Sequence, residues 1–178
     1  MKLTSNLDSY PVFPNWVFTG KIPLPESTLQ HVLSEVPSMQ KDTPAKETYQ
    51  LSQVVGSIFF DTVKSHFRLP KSLQHIESVD SHFINISPGH AYPVRVNRHR
   101  WYQGAAFLQC GKGASDIYLD MFDSKLYSTP PEVQEYQHVI EAEPLKLVFW
   151  PAHMPWGLNT NNSSINTILF TTTFIIKR

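Results

Sequence analysis

The chain has a single cysteine, Cys110, in 178 residues. An intrachain disulfide framework and a thiolate metal cluster are both excluded by that count. A reducing compartment, or a fold that needs no cross-link, suits it. Charge of either sign is also not in excess: 15 Lys and Arg balance 15 Asp and Glu. Nucleic-acid binding normally leaves a basic excess or stripe, so no nucleic-acid partner is expected. Four cations lie fairly close in sequence, Arg95, Arg98, Arg100 and Lys112, and they read as a solvated loop or as buried ion pairs. No apolar run is long enough to span a bilayer, so no membrane partner is expected. The first ten residues, Met1 to Tyr10, are polar and carry no apolar signal-peptide core, so export by a signal peptide is not expected. Asn161-Asn-Ser163 and Asn162-Ser-Ser164 match the glycosylation pattern but read as turn residues.

What the chain does have is a globular balance, with 41% hydrophobic and 17% charged residues. Its length suits one domain, residues 1–178, able to bury a core. Residues 11–22 are β-branched and aromatic and read as extended, interrupted by Pro14. Leu29, Val32, Leu33 and Val36 recur at helical spacing and predict an amphipathic helix over 26–36, ended by Pro37. Residues 38–48 are polar and read as a loop. Leu51, Val54, Val55, Ile58, Phe59, Val63 and Phe67 trace one face of a second helix.

From Ile76 onward the pattern changes to short runs and period two. Strands are expected at 82–87, 92–97, 104–109, 116–122, 145–150 and 165–176, with turns at Pro88-Gly89, Gly111-Lys-Gly113 and Asn159 to Asn162. The stretch 124–144 reads as a long connection. Six short strands with regular turns indicate a sandwich or jelly roll, with the two helices packed outside one β layer. The fold expected is therefore mostly β within α+β: residues 1–75 supply an N-terminal strand and two helices, and 76–178 form a β-barrel core.

Several pieces occur in an order that resembles the 2-oxoglutarate and iron(II)-dependent oxygenases, in the compact form met in marine bacteria and their phages. They are Val12-Phe-Pro14, Phe83-Ile-Asn-Ile86 with Gly89, Gly104-Ala-Ala-Phe-Leu108, Ile117-Tyr-Leu-Asp120, Leu147-Val-Phe-Trp-Pro151, and Ile168 to Phe174. The resemblance implies a double-stranded β-helix. It also implies metal ligands at three positions, two on the strand 92–97 and one after Trp150-Pro151. Those positions hold Arg95, Asn97 and Trp156. Iron of this type is held by imidazoles and a carboxylate. Arginine stays cationic with no lone pair to give, asparagine is a weak neutral donor, and the indole N–H only donates. The region 163–168 also lacks the Arg or Lys with which the family grips its co-substrate.

The expectation that follows is a non-catalytic jelly roll without a cofactor. It would bind a protein partner or itself, as a cytoplasmic protein or a component of a phage virion. Two alternatives stand beside it. One is an oxygenase with a relocated site at His90, His99 and His153, which would use Fe(II) and 2-oxoglutarate and would need Asp116 or Asp120 to supply a carboxylate. The other is a module for small anions or carbohydrates, built from Arg95, Asn97 and the nearby aromatics. Cys110, with Lys112 nearby to lower its pKa, has no identifiable partner histidine. The loop 111–115 superficially resembles a phosphate loop but lies between strands rather than before a helix. Asp116, Asp120 and Asp123 read as alternating strand positions ending in a polar turn.

Overall fold

Among the residues that the computed structural model describes (8–12, 15–36, 46–67, 76–120 and 137–176), helices come early and strands dominate the rest. A hairpin of β1 (Asp8–Val12) and β2 (Asn15–Lys21) opens the chain. The helices α1 (Glu26–Glu35) and α2 (Lys46–His66) follow. Pro25 at the boundary of α1 has a φ of −59°, already suited to a helix start, and Glu26 places a negative charge in the first turn, where the helix dipole favours it. The remaining strands are β3 (Ile76–Ile86), β4 (Tyr92–Arg95), β5 (Tyr102–Gln109), β6 (Ile117–Asp120), β7 (Gln137–Ile140), β8 (Lys146–Pro151), β9 (Trp156–Leu158) and β10 (Thr167–Ile176).

These strands form two antiparallel sheets, one ordered β1-β2-β8-β5-β10-β3 and the other β4-β9-β6-β7. Their pairing is nested: β3 with β10, β4 with β9, β5 with β8 and β6 with β7. First pairs with last and inner with inner, as in one long hairpin folded over into two layers, the arrangement of a jelly roll. The hairpin β1–β2 extends the larger sheet through β2 and β8.

Period-two alternation divides the larger sheet's side chains between two cores. Tyr102, Ala106 and Leu108 of β5, Leu147 and Phe149 of β8, and Ile168, Phe170 and Phe174 of β10 face the helices. There they meet Leu29 and Val32 of α1 and Leu51, Val55, Ile58, Phe59 and Val63 of α2. Phe59 stacks on Phe174 with ring centres 4.0 Å apart. The alternate residues Ala105, Phe107, Val148, Trp150 and Leu169 face the smaller sheet, where they pack on Ile117, Leu119, Ile140, Trp156 and Leu158. Both faces of the central strands are buried, so β5 and β8 read as continuous apolar runs. Gly104 is one consequence of the tight packing, since a Cβ there would lie 2.8 Å from the Phe149 ring.

The expected placement of both helices on one β layer is found. Several boundaries and elements differ. Residues 11–22 hold parts of two paired strands, not one extended run. Helix α2 begins at Lys46, inside the stretch read as a loop, while residues 37–45 lie outside the described residues. Strand β3 begins at Ile76, ahead of the expected start at His82. Two strands gave no sequence signal. β9 has three residues, with Pro155 before it and Gly157 within it, and β7 is a four-residue strand in the expected connection 124–144, of which 124–136 lie outside the described residues.

Asn161 is fully buried and ties the turn after β3 to the loop before β10. Its Nδ2 donates to the Ile86 and Ile165 carbonyls at 2.9 and 2.8 Å, while its Oδ1 accepts from the Ser163 backbone N–H and hydroxyl. A side chain so enclosed is a structural latch and not a glycan acceptor. Asn161→Ala should destabilise the protein by about 2–3 kcal/mol, because it strands buried carbonyls and a hydroxyl. Urea denaturation checks this, and a loss under about 0.5 kcal/mol would mean the latch carries no stability.

Candidate functional site

Strand β4 is an edge of the smaller sheet and lies antiparallel to β9, with Tyr92 opposite Leu158 and Arg95 opposite Trp156. Beyond β4, the Asn97 N–H donates to the Ala152 carbonyl at 3.0 Å, and the Ala152 N–H donates to the Trp101 carbonyl at 3.0 Å. These bonds bring Arg95, Asn97 and Trp156 to one end of the space between the sheets. Their side chains differ in exposure. Arg95 is exposed, with its guanidinium carbon 5.7 Å from the centre of the Tyr92 ring, within cation–π reach. Asn97 is half-buried, and Trp156 is 4% exposed and packs inward.

Trp156 stacks on Tyr92 with ring centres 5.5 Å apart and planes at 26°, and meets Trp150 edge-on at 5.3 Å. These three rings pack in one buried cluster with Met154 and with Leu119, the register partner of Trp156 on β6. The fully buried Trp150 indole Nε1–H has no hydrogen-bond partner among the described residues. Beside it runs a polar layer that the sequence pattern did not predict. Gln103, Thr171 and Thr173 are buried, the His82 ring lies 3.1 Å from the Thr171 hydroxyl, and the Thr173 hydroxyl donates to the Val79 carbonyl at 3.0 Å. The run Thr171-Thr-Thr173, inside an otherwise apolar strand, was the available signal.

The three histidines are not brought together. His99 and His153 are exposed in turns at the Arg95 end of β4, whereas His90 precedes the other end and places its Nδ1 3.1 Å from the Pro88 carbonyl. Among the described residues no three His, Cys, Asp or Glu side chains are grouped so as to hold a metal ion. Asp116 is engaged elsewhere: its carboxylate accepts from the Ala142 N–H at 2.8 Å and from Asn159 Nδ2 at 3.3 Å. Asp120 ends β6, and Asp123 lies outside the described residues.

The four cations do not form one patch. Arg100 is paired with Asp80 through Nε at 2.9 Å and Nη2 at 2.6 Å, while Lys112 lies in the turn after β5, at the opposite end of that strand from Arg100. Cys110 is not an activated thiol. Burial first, and then Glu143 and Asp116, push its pKa up to about 11, so the lowering expected from Lys112 is not found; Lys146 is the cation that opposes the rise. The loop 111–115 joins β5 to β6 and precedes no helix.

Iron at the β4–β9 position would meet a cation, a neutral amide and an indole already packed between two rings. This donor set does not fit Fe(II).

No protein family matches the sequence, and neither does any curated protein. Solved structures do match the fold. A prolyl-4-hydroxylase of Pseudomonas putida superposes with a TM-score of 0.62 at 13% identity, over 94% of this chain and 91% of that one. HygX of Streptomyces hygroscopicus, solved with nickel and 2-oxoglutarate, gives 0.65 at 6% identity, over 90% and 82%. The viral collagen prolyl hydroxylase vCPH of Paramecium bursaria Chlorella virus-1, in its 2-oxoglutarate complex, gives 0.57 at 9% identity, over 91% and 96%. The fold is thus one shared with 2-oxoglutarate and iron oxygenases. The sequence-based expectation of no cofactor is corrected by this finding, because two of these neighbours, HygX and vCPH, were solved with 2-oxoglutarate and HygX with iron as well. The viral protein among these three neighbours is a hydroxylase, so it lends no support to the expected virion role.

Two expectations follow from the geometry. Trp156→Ala should cost about 3–5 kcal/mol on thermal or chemical unfolding if the ring fills the interior, and under about 1 kcal/mol if it lines an open pocket. Cys110 should alkylate slowly near neutral pH and faster as pH rises toward about 11. At pH 8 only about one thiol in a thousand is ionised, and rapid iodoacetamide labelling at that pH would contradict the assignment.

Proposed function

We propose that this chain keeps the double-stranded β-helix scaffold of the 2-oxoglutarate and iron oxygenases and uses it for binding, with the β4–β9 end of the barrel closed. The observation that carries this reading is Trp156, buried against Tyr92 and Trp150 at the register position opposite Arg95. The nested strand pairing supports the scaffold assignment. Binding then falls to the outer surfaces, and a protein partner or a second copy of the chain is the class of ligand proposed.

A second reading, favoured by the solved neighbours, is an oxygenase that holds iron through other residues. His99 and His153 lie at the same end as Trp156 and are the imidazoles to propose. The described residues do not assemble a metal site, so no chemical step is assigned to one.

Anaerobic titration with Fe(II), followed by bound-metal analysis, separates the two readings. On the first, the wild type shows no iron-dependent change at Trp156, while Arg95→His combined with Asn97→Asp and Trp156→His gains one bound iron. On the second, the wild type itself takes up stoichiometric iron and consumes 2-oxoglutarate, and His99→Ala or His153→Ala abolishes both. A folded triple variant that binds no metal would contradict the proposed correspondence of the three positions.

A further inference from the structure

The helix-facing side of the larger sheet carries a groove that the proposed closure of the barrel leaves untouched. Among the described residues, strand β3 is the edge of that sheet, paired with β10 on one side only. Next to it α2 runs with Ser52, Gln53, Gly56, Ser57, Phe60 and Asp61 turned to the same space. These fall at i, i+1, i+4, i+5, i+8 and i+9, which is one face of a helix. Six consecutive residues of β3, 76–81, form the opposite wall, and the cavity between them holds about 890 Å³. It is therefore an elongated trough, bounded by one helix face and by a strand edge that is unpaired among the described residues.

Its chemistry has three parts. Hydroxyls line the floor in a bonded chain: Ser52 donates to Ser81 at 2.6 Å, and the Thr172 hydroxyl lies 2.7 Å from Ser81 and 2.6 Å from Ser78. Gly56 keeps the helix wall low, since a Cβ there would meet only the Ser78 Cβ, at 3.8 Å. The lining includes the carboxylates Asp61, Glu77 and Asp80 and, among the described residues, no Lys or Arg. Asp80 is paired with Arg100 and Glu77 is engaged as well, which leaves Asp61 to carry the charge of the groove, and Lys64 lies 5.9 Å from the Phe60 ring at the helix end.

We propose that this groove is a docking site for an extended, cationic peptide segment of a protein partner, which adds as a strand beside β3. An unpaired edge offers backbone N–H and C=O groups at strand spacing. A helix wall at that distance holds alternate side chains of the added strand, and the Asp61 carboxylate on that wall selects Lys or Arg among them. The bulge at Asp80, where φ is +51°, limits regular pairing to the Ile76–Val79 side. This inference rests on the proposal that the chain works by binding, and it names the surface.

The test uses the full chain and a blocked synthetic peptide of alternating lysine and valine, with an alternating glutamate and valine peptide as control. Binding is followed by fluorescence anisotropy and by amide chemical shifts. The lysine peptide is expected to shift amides 76–79 and the 52–61 face of α2, and the glutamate peptide to leave them unchanged. Gly56→Gln fills the groove while replacing glycine with a better helix former, so the fold should hold, and affinity should fall about tenfold or more. Asp61→Asn should weaken the lysine peptide alone. Unaltered affinity in Gly56→Gln, shifts confined to other surfaces, equal binding of both peptides, or no binding at all would each overturn the groove assignment. The barrel-closure reading is decided separately, by iron and Trp156, so failure of one does not imply failure of the other.

Discussion

The stack of Tyr92, Trp156 and Trp150 is the contact on which this end of the molecule depends. It joins an edge strand, a three-residue strand and a central strand of the other sheet through ring faces and edges. Strand β9 is too short to be held by its ladder alone, and β4 pairs with it at only two register positions. Aromatic packing therefore does at this end what hydrogen bonding does in the long strands. The same rings occupy the interior, so holding the sheets together and closing the barrel are one physical fact. An indole N–H left without a partner among the described residues at Trp150 costs free energy, and the apolar burial around it has to offset that cost.

Much of the fold was legible because two periodicities are clean. The α2 stripe from Leu51 to Val63 and the alternation in β5, β8 and β10 follow directly from side chains that must reach one of two cores. The elements that were missed are those where packing overrides local pattern. β9 is short, with Pro155 just before it and Gly157 at its centre. Gly157 is required there because a Cβ would run into the Tyr118 hydroxyl and ring. The bulge of β3 at Asp80 depends on Arg100 and Thr173, which are distant in sequence.

The candidate site was legible in part. Spacing put Arg95 and Asn97 on one strand and Trp156 beyond Trp150-Pro151, and the register does bring these positions to one end. Sequence could not reveal that Arg95 stays exposed over Tyr92 while Trp156, its register partner, is buried. Residues opposite each other on antiparallel strands share a sheet face, so the difference is one of depth and not of pleat. Nor could it separate His90 from His99 and His153, because the length of β4 lies between them. The polar layer of Gln103, His82, Thr171 and Thr173 is assembled from three strands and has no local signature beyond a threonine run.

If closure by Trp156 is correct, the barrel interior at Trp150 is dry. Hydrogen exchange of the Trp150 indole N–H tests this most directly, since that proton has no hydrogen-bond partner among the described residues and owes any protection to burial alone. Exchange slowed to the rate of global unfolding is the result that a filled, closed barrel predicts. Exchange near the rate of an exposed indole, while the backbone amides of β5 and β8 stay protected, would mean that water reaches the interior and that the closed-barrel account is wrong.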